Sequence, residues 1–293
     1  MSEEVKTIYL CLAHMSEEGY EQKYVKEAFD TNWVVPMGPN VYTFEQNLAD
    51  FSNANLDGSK LDRKVVCLSA GTAAVHLALI ACGVQLGDEV CVQSFTFCAS
   101  SHPITYLGAK PVFIDSEKET WNMDPELLEK AIIDRKEKTG KYPKAIIPVA
   151  LYGMPYDCER IMVIADKYGI PVIEDAAEGM GSRYNGQVLG TFGRFGVLSF
   201  NGNKMITTSG GGALICRSDE DANNIMWHAT QARDAYPYYQ HTEIGYNYRM
   251  SNVCAGIGRG QMTVLDAHIA HHKHVQELYE ELSLIHISEP TRL

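Results

Sequence analysis

The sequence lacks three features that would indicate a metal-binding, membrane or nucleic-acid-binding protein. Its eight cysteines form no Cys-x-x-Cys pair and no His/Cys metal-ligand spacing. No segment approaches the roughly 18 uninterrupted apolar residues of a membrane span. With 25 Lys plus Arg against 37 Asp plus Glu, it has no excess of positive charge to bind a phosphate backbone. We therefore predict no metal, no membrane association and no nucleic-acid partner.

What remains is typical of a soluble enzyme. A chain of 293 residues can bury a sizeable core, and 45% hydrophobic with 21% charged residues is an ordinary globular composition. Several cysteines lie in apolar runs, as reduced thiols in a core do. The N-terminus lacks the basic region, apolar region and cleavage site that follow one another in a secretory signal peptide. These features predict a cytoplasmic protein.

Strands and helices are predicted to alternate along the chain, which is the pattern of an α/β protein. Right-handed crossovers then give a mostly parallel central sheet flanked by helices, with ligands gathering at the carboxyl ends of the strands. The predicted strands are 65–68, 89–93, 111–115, 145–150, 171–175, 197–200 and 210–216. The predicted helices are 17–30, 41–51, 73–82, 122–134, 158–168, 220–230, 253–265 and 268–282.

A single lysine, Lys204, follows one predicted strand and precedes a glycine cluster at 210–212, where backbone can approach a ligand closely. A solvated loop lysine is the ordinary alternative. Upstream, Asp175 ends another short apolar strand. Pyridoxal phosphate requires this combination, because a lysine forms an imine with its aldehyde and an aspartate keeps its pyridine nitrogen protonated. The pattern predicts Lys204 as the catalytic residue and Asp175 at the ring nitrogen.

An anion site is predicted where the strand at 65–68 runs through a small-residue turn into an apolar helix. Free backbone N–H groups and the helix dipole converge at such a helix N-terminus. Ordinary capping by the side chain of Ser69 or Thr72 is the alternative, and the residues alone leave both interpretations open.

Four motifs occur in an order that resembles the nucleotide-sugar aminotransferases of the DegT type. They are Ser-Ala-Gly-Thr-Ala-Ala at 69–74, Glu-Asp-Ala-Ala-Glu at 174–178, Ser-Phe-Asn-Gly-Asn-Lys at 199–204 and Gly-Tyr-Asn-Tyr-Arg at 245–249. Each motif alone is weak, but their order argues against chance, and the resemblance runs from about 31 to about 265. It implies the pyridoxal-phosphate-dependent transferase fold of type I, that of aspartate aminotransferase.

The resemblance also implies a cofactor site. By the family pattern, Thr72 and Ala73 hold the phosphate of pyridoxal 5′-phosphate, with Ser199 as a second phosphate ligand. Phe97 stacks on the pyridine ring by the same pattern. The alternatives are a core aromatic at Phe97 and a backbone-bonded serine at Ser199.

Two further positions follow from the same resemblance. Glu178 stands where many members carry a neutral glutamine or histidine against the ring hydroxyl, so a glutamate there must be protonated or turned away from a phenolate. Asn247 reaches the cofactor phosphate of the neighbouring subunit, which makes a homodimer part of the site. The stretch 231–240 resembles a substrate-side loop, and 243–252 most resembles members acting on UDP-linked 4-keto-6-deoxy sugars. A tyrosine-rich loop before a helix is the alternative for most of it.

The implied reaction is transfer of an amino group, with glutamate as the expected donor, to a keto-deoxysugar on a nucleotide diphosphate. Lys204 would hold the cofactor as a Schiff base and then move the proton between the donor carbon and the cofactor. Cell-wall, capsule and other polysaccharide precursors are all open as products. The alternatives are another lysine-imine enzyme, such as a lyase, and a cofactor-binding fragment with little activity.

The C-terminal part of the sequence departs from the family pattern. We expect a large cofactor-binding domain with an N-terminal arm at 1–265, the start of a C-terminal helix and small domain at 266–282, and a non-native tail at 283–293 that resembles translated adapter sequence. The hypothesis is a copy whose small C-terminal domain is truncated. The histidines at 268, 271, 272 and 274 are not joined by a carboxylate or cysteine constellation, so we predict no metal there.

Overall fold

The computed structural model describes residues 13–286, and side chains up to residue 282. Residues 8–15, for which the sequence indicates a short strand or an approach segment, lie mostly outside this range, and their described part, 13–15, is irregular. Of the predicted tail at 283–293, residues 283–286 continue the last helix and the rest lies outside the described residues.

The described residues form alternating strands and helices. The helices are α1 (Tyr20–Asp30), α2 (Pro39–Asn53), α3 (Gly71–Ala81), α4 (His102–Tyr106), α5 (Pro125–Thr139), α6 (Cys158–Tyr168), α7 (Asp219–Ala229), α8 (Asn252–Met262) and α9 (Leu265–His286). The strands are β1 (Lys64–Leu68), β2 (Glu89–Gln93), β3 (Lys110–Ile114), β4 (Ala145–Ile147), β5 (Ile173–Asp175), β6 (Arg183–Tyr184), β7 (Gln187–Val188), β8 (Phe195–Ser199) and β9 (Gly212–Cys216). Short 3₁₀ turns follow β2 at Cys98–Ser100 and β4 at Leu151–Gly153.

The central layer consists of a four-stranded sheet, in the order β1-β9-β8-β5, beside a three-stranded sheet, in the order β3-β2-β4. Two parallel bridges join β4 to β5, at Ile146 with Val172 and at Val149 with Asp175. The pairs β2-β3, β2-β4 and β5-β8 are parallel, whereas β9 runs antiparallel to both β1 and β8. The carboxyl ends of β1, β2, β4, β5 and β8 therefore share one edge. The predicted mostly parallel α/β sheet is confirmed.

Helices cover both faces of this layer. Along β1, Val65 and Cys67 pack into one buried cluster, whereas Val66 and Leu68 pack into another. This alternation is the period of a strand that is buried on both sides. Helix α3 is buried along most of its length, as its uninterrupted apolar sequence predicts. Helix α8 packs against α1 and α2.

Local signals set several helix ends. Asp124 caps α5 by accepting the N–H groups of Glu126 and Leu127, with Pro125 at the first helical position. Gly169 ends α6 in the left-handed conformation. Two boundary predictions are wrong: α5 continues to Thr139, beyond the predicted helix end at 134, and the predicted strand at 145–150 ends at residue 147.

Across residues 13–286, no helix combines the length and apolar character needed to cross a membrane.

Candidate active site

A cavity of about 560 Å³ opens at the edge where the carboxyl ends of the parallel strands meet. The loops that follow β1, β2, β4, β5 and β8 all contribute to its wall. Motifs far apart in sequence therefore meet at the place that the strand pattern predicts. Of the predicted site residues, it is lined by Thr72, Phe97, Asp175, Glu178, Ser199 and Lys204.

Lys204 lies in this cavity as one half of an ion pair. Its Nζ is 3.1 Å from Oε1 of Glu178, and the two side chains are 16% and 31% exposed. The other carboxylate oxygen of Glu178 accepts the N–H of Tyr152 at 2.8 Å. The alternative of a solvated loop lysine is therefore wrong. Both carboxylate oxygens of Glu178 therefore accept a hydrogen bond within this chain. These bonds orient the carboxylate toward Lys204 and toward the loop after β4.

Asp175 is buried at the end of β5. Its Oδ2 accepts the hydroxyl of Ser100 at 2.6 Å, and its Oδ1 accepts the N–H of Ala177 at 3.2 Å. Burial raises the pKa of the Asp175 carboxyl, while these hydrogen bonds and the charge of Lys204 oppose the rise. A cation bound beside Asp175 would stabilise its charged form further.

The neighbouring carboxylate, Glu174, has a different task, because successive side chains of a strand point to opposite faces. It accepts the N–H groups of Gly190, Phe192 and Gly193 at 2.6 to 3.0 Å. Glu174 therefore fixes the loop before β8, and only Asp175 of the pair lines the cavity.

The N-terminus of α3 opens into the cavity without a side-chain cap. The capping alternative for Ser69 and Thr72 is thus wrong, and the backbone N–H groups of the first turn remain available for an anion. A Cβ on Gly71 would lie 3.1 Å from the Cβ of Ser199, so glycine allows the helix to approach this serine closely. The Ser199 hydroxyl and the helix N-terminus therefore face the same part of the cavity.

Phe97 is 74% exposed at the cavity wall, so its interpretation as a core aromatic is wrong. A buried amide network beneath it shapes the neighbouring loops. Gln93 donates to the carbonyl of Phe95 and to the side chain of Asn122, whose own amide donates to the carbonyl of Met154. These bonds join the loops after β2 and β4, which carry opposite parts of the wall.

Two predicted site residues do not line the cavity. Ala73 is buried in the first turn of α3, so only its backbone can serve a ligand. Asn247 is exposed and forms a backbone bridge with Thr230. Its predicted contact with a neighbouring subunit is compatible with this exposure and stays a prediction.

A second cavity of about 970 Å³ adjoins the first, because both are lined by Tyr152, Glu178, Asn203 and Lys204. Residues 13–18 and α9 form its opposite wall. This wall includes the histidines at 268, 271 and 272, at which no metal was predicted. Within residues 13–286, no three or more His, Cys, Asp or Glu side chains are arranged to hold a metal ion.

Three residues of the site, Ser100, Thr96 and Tyr152, were not predicted from the sequence. Thr96 and Tyr152 line the cavity, and Ser100 contacts Asp175 from below it. A Ser/Thr-rich turn directly after a strand is a signal for such positions, since it lies at the edge where ligands bind. The sequence contains no signal that pairs Ser100 with Asp175.

Comparison with known proteins identifies the family. Residues 15–289 match the DegT/DnrJ/EryC1/StrS aminotransferase family. The chain belongs to this family. The match begins before residue 31 and continues past residue 265, which were the limits of the motif resemblance.

Individual members of the DegT/DnrJ/EryC1/StrS family agree along most of the chain. EpsN of Bacillus subtilis, named as a pyridoxal phosphate-dependent aminotransferase, is 49% identical over 90% of this chain and 65% of its own length. GDP-perosamine synthase of Escherichia coli O157:H7 is 37% identical over 93% of this chain and 71% of its own. The chain thus spans about two thirds of the length of these relatives.

Among solved structures, Spr1654 of Streptococcus pneumoniae, named as a sugar aminotransferase and solved in its PLP-form, superposes with a TM-score of 0.84. The identity is 26%, and the match covers 95% of this chain and 72% of that one. The predicted family and fold class are confirmed, and the predicted cofactor is confirmed at the level of the family.

The site fits pyridoxal 5′-phosphate on its own chemistry. An uncapped helix N-terminus beside a serine hydroxyl suits a phosphate, and a buried carboxylate suits a pyridinium. Lys204 supplies an amine in the same cavity, and Phe97 an exposed aromatic face.

Proposed function

We propose that this protein transfers an amino group to a keto-deoxysugar carried on a nucleotide diphosphate, using pyridoxal 5′-phosphate attached to Lys204. One observation carries the proposal: the Lys204 amine, the buried Asp175 carboxylate and the uncapped N-terminus of α3 line a single cavity. Separately each has a structural explanation, but together they supply the three groups that this cofactor requires.

When bound, the cofactor supplies an aldehyde for reaction with amines and a ring that withdraws electrons. The first turn of α3, with Thr72, and the Ser199 hydroxyl bind its phosphate. Asp175 holds the proton on the ring nitrogen, and Phe97 covers one face of the ring. With the cofactor bound, the Nζ of Lys204 would take a proton from the donor carbon that bears the amine and would deliver it to the carbon of the cofactor that carried the aldehyde.

The relatives and the second cavity support the proposed class of acceptor. The names of the relatives include a GDP-sugar synthase and a sugar aminotransferase, which supports a nucleotide sugar as the acceptor. The adjoining cavity of about 970 Å³ reaches Lys204 and offers the space for such a molecule. We assign glutamate as the donor, and a UDP-linked 4-keto-6-deoxy sugar as the first acceptor to test.

A homodimer is part of this proposal. Asn247 is exposed outside the cavity of its own chain, so its predicted phosphate contact requires a second copy. We also propose a cytoplasmic enzyme of polysaccharide-precursor synthesis, because nucleotide sugars serve as activated building blocks for such polymers.

The experiment is a transfer assay with ¹⁵N-glutamate and a panel of UDP- and GDP-linked keto sugars, read by mass spectrometry of the sugar product. The wild-type protein should form a product that carries the ¹⁵N atom, and Lys204→Ala should form none. Lys141→Ala is the matched control, since Lys141 is exposed and lies outside the cavity. Elimination or decarboxylation without transfer would support a lyase, and cofactor binding with no turnover would support an inactive fragment.

A further inference from the structure

We infer that Thr96 and Ser100 are positioning residues for Asp175: two hydroxyls in series hold its carboxylate ionised and fixed in orientation toward the cavity. The inference rests on the proposed role of Asp175 at the ring nitrogen. It adds a series of hydrogen bonds from Thr96 through Ser100 to Asp175, joining the loop after β2 to the end of β5. Neither the motifs nor the strand pattern indicate this connection.

The hydrogen bonds of this series are short, and Ser100 at its centre is buried. Ser100 is 0% exposed, and its Oγ donates to Oδ2 of Asp175 at 2.6 Å, across 75 positions of sequence. Oγ1 of Thr96 lies 2.8 Å from the same Ser100 oxygen. The Cys98–Ser100 turn holds Ser100 in place, because the backbone N–H of Ser100 donates to the carbonyl of Phe97.

The number of protons on each group fixes which residue donates in each of these hydrogen bonds. An ionised carboxylate only accepts, and a serine hydroxyl has one proton to donate. Because the Ser100 proton lies in the bond to Asp175, the bond between the two hydroxyls must be donated by Thr96. Ala177 donates its N–H to the other oxygen at 3.2 Å, so both oxygens of Asp175 are held.

Each of these bonds favours the charged carboxylate, in opposition to burial, which favours the neutral acid. Asp175 can keep a proton on a ring nitrogen only while its own carboxyl is ionised. Loss of the Ser100 hydroxyl removes the direct bond, and loss of the Thr96 hydroxyl weakens it through polarisation. We therefore expect a large effect for Ser100 and a smaller one of the same sign for Thr96.

The first test uses cofactor-free protein with ¹³C-labelled aspartate carboxyls, in which the Asp175 signal is assigned by its absence in Asp175→Asn. Ser100→Ala should increase the proton affinity of Asp175 about tenfold in the carboxyl titration. Thr96→Val, which keeps the shape and removes the hydroxyl, should increase it by a smaller factor. Thr96→Ser keeps the hydroxyl and should restore the wild-type titration.

The second test uses protein loaded with pyridoxal phosphate labelled with ¹⁵N in the ring. The ring-nitrogen signal should show a smaller protonated fraction in Ser100→Ala than in the wild type. Unchanged titrations in Ser100→Ala and Thr96→Val, with only a lower free energy of unfolding, would overturn the inference.

These tests still decide the inference if one variant does not fold or if the cofactor does not bind. If Ser100→Ala does not fold, the Thr96→Val and Thr96→Ser pair decides, because Thr96 is only half-buried. If the wild type fails to take the cofactor at Lys204, the proposed function falls. The carboxyl titration still decides whether the two hydroxyls control Asp175, because it needs no cofactor.

Discussion

Nζ of Lys204 lies 3.1 Å from Oε1 of Glu178, in the wall shared by the two cavities. The motif resemblance predicts that many family members have a neutral side chain against the cofactor ring at this position. Its two oxygens are instead directed to Lys204 and to the N–H of Tyr152. Glu178 therefore holds the Nζ of Lys204 at the wall that the two cavities share.

Glu178→Gln should accelerate cofactor attachment. The amide can still accept the N–H of Tyr152, but it no longer forms the ion pair that holds the Nζ of Lys204. Because this contact must break before the amine can reach the cofactor, we expect attachment at neutral pH to be about fivefold faster, followed by the visible absorbance of the bound cofactor. Glu126→Gln, which removes an exposed ion pair with Arg160, is the control. Attachment at an unchanged or lower rate would contradict this role of Glu178.

Gly71→Ala should weaken phosphate binding. The new Cβ would lie 3.1 Å from the Cβ of Ser199 and force the helix N-terminus away from it. We expect the Kd for pyridoxal phosphate to rise about tenfold, measured by equilibrium dialysis. Gly202→Ala places a methyl group where no atom lies within 4 Å and should leave the Kd unchanged. Equal affinity in both variants would place the phosphate elsewhere.

Phe97→Ala separates cofactor binding from stability. Because Phe97 is 74% exposed, its removal should change the free energy of unfolding by less than about 1 kcal/mol. The Kd for the cofactor should rise about fivefold through loss of the stacked ring. Phe113→Ala, which removes an exposed phenylalanine of β3 outside the cavity, should leave that Kd at its wild-type value. The account of Phe97 fails if the two variants bind the cofactor equally well.

Glu45 makes stability depend on pH. It accepts the N–H of Cys67 at 2.9 Å, and burial raises its pKa from 4.5 to about 7, although Arg249 opposes the rise. Below 4.5 the carboxyl is protonated in both the folded and the unfolded state, whereas above 7 it must be charged in the folded protein. The raised pKa therefore stabilises the fold at low pH, and this stability is lost as the pH rises through 7.

Glu45→Gln removes this dependence because its side chain stays neutral. Urea unfolding at about pH 5 and about pH 8 should show a loss of stability in the wild type that exceeds the loss in Glu45→Gln by up to about 3 kcal/mol. Equal losses in the two proteins would mean that Glu45 titrates normally.

The sequence was sufficient for the fold class and for the residues at strand ends. Asp175 and Ser199 end apolar strands, and Thr72 and Lys204 follow such strands within five residues. Parallel strands bring their carboxyl ends together, so these residues meet in one cavity. The strand at 210–216 was predicted, but its antiparallel direction depends on the chain reversal at 200–211 that carries Lys204. The overlong strand prediction at 145–150 fails because the chain turns into the Leu151–Gly153 loop, which carries Tyr152.

The remaining features of the site depend on contacts that have no local signature. The bond from Ser100 to Asp175 spans 75 positions, and the pair of Glu178 with Lys204 spans 26. Alternation and spacing describe only neighbours along one element, so they cannot indicate these partners. The same holds for two buried amides, Gln93 at the end of β2 and Asn122 in the loop before α5.

Peptide mapping tests whether Lys204 carries the cofactor. The purified protein is mixed with pyridoxal phosphate, its visible spectrum is recorded, borohydride fixes the attached group, and mass spectrometry locates the modified peptide. We expect a single modified residue, Lys204, and no stable modification in Lys204→Ala. Stable attachment at another lysine in the wild type, or none at all, would contradict the assignment of this cavity as the active site.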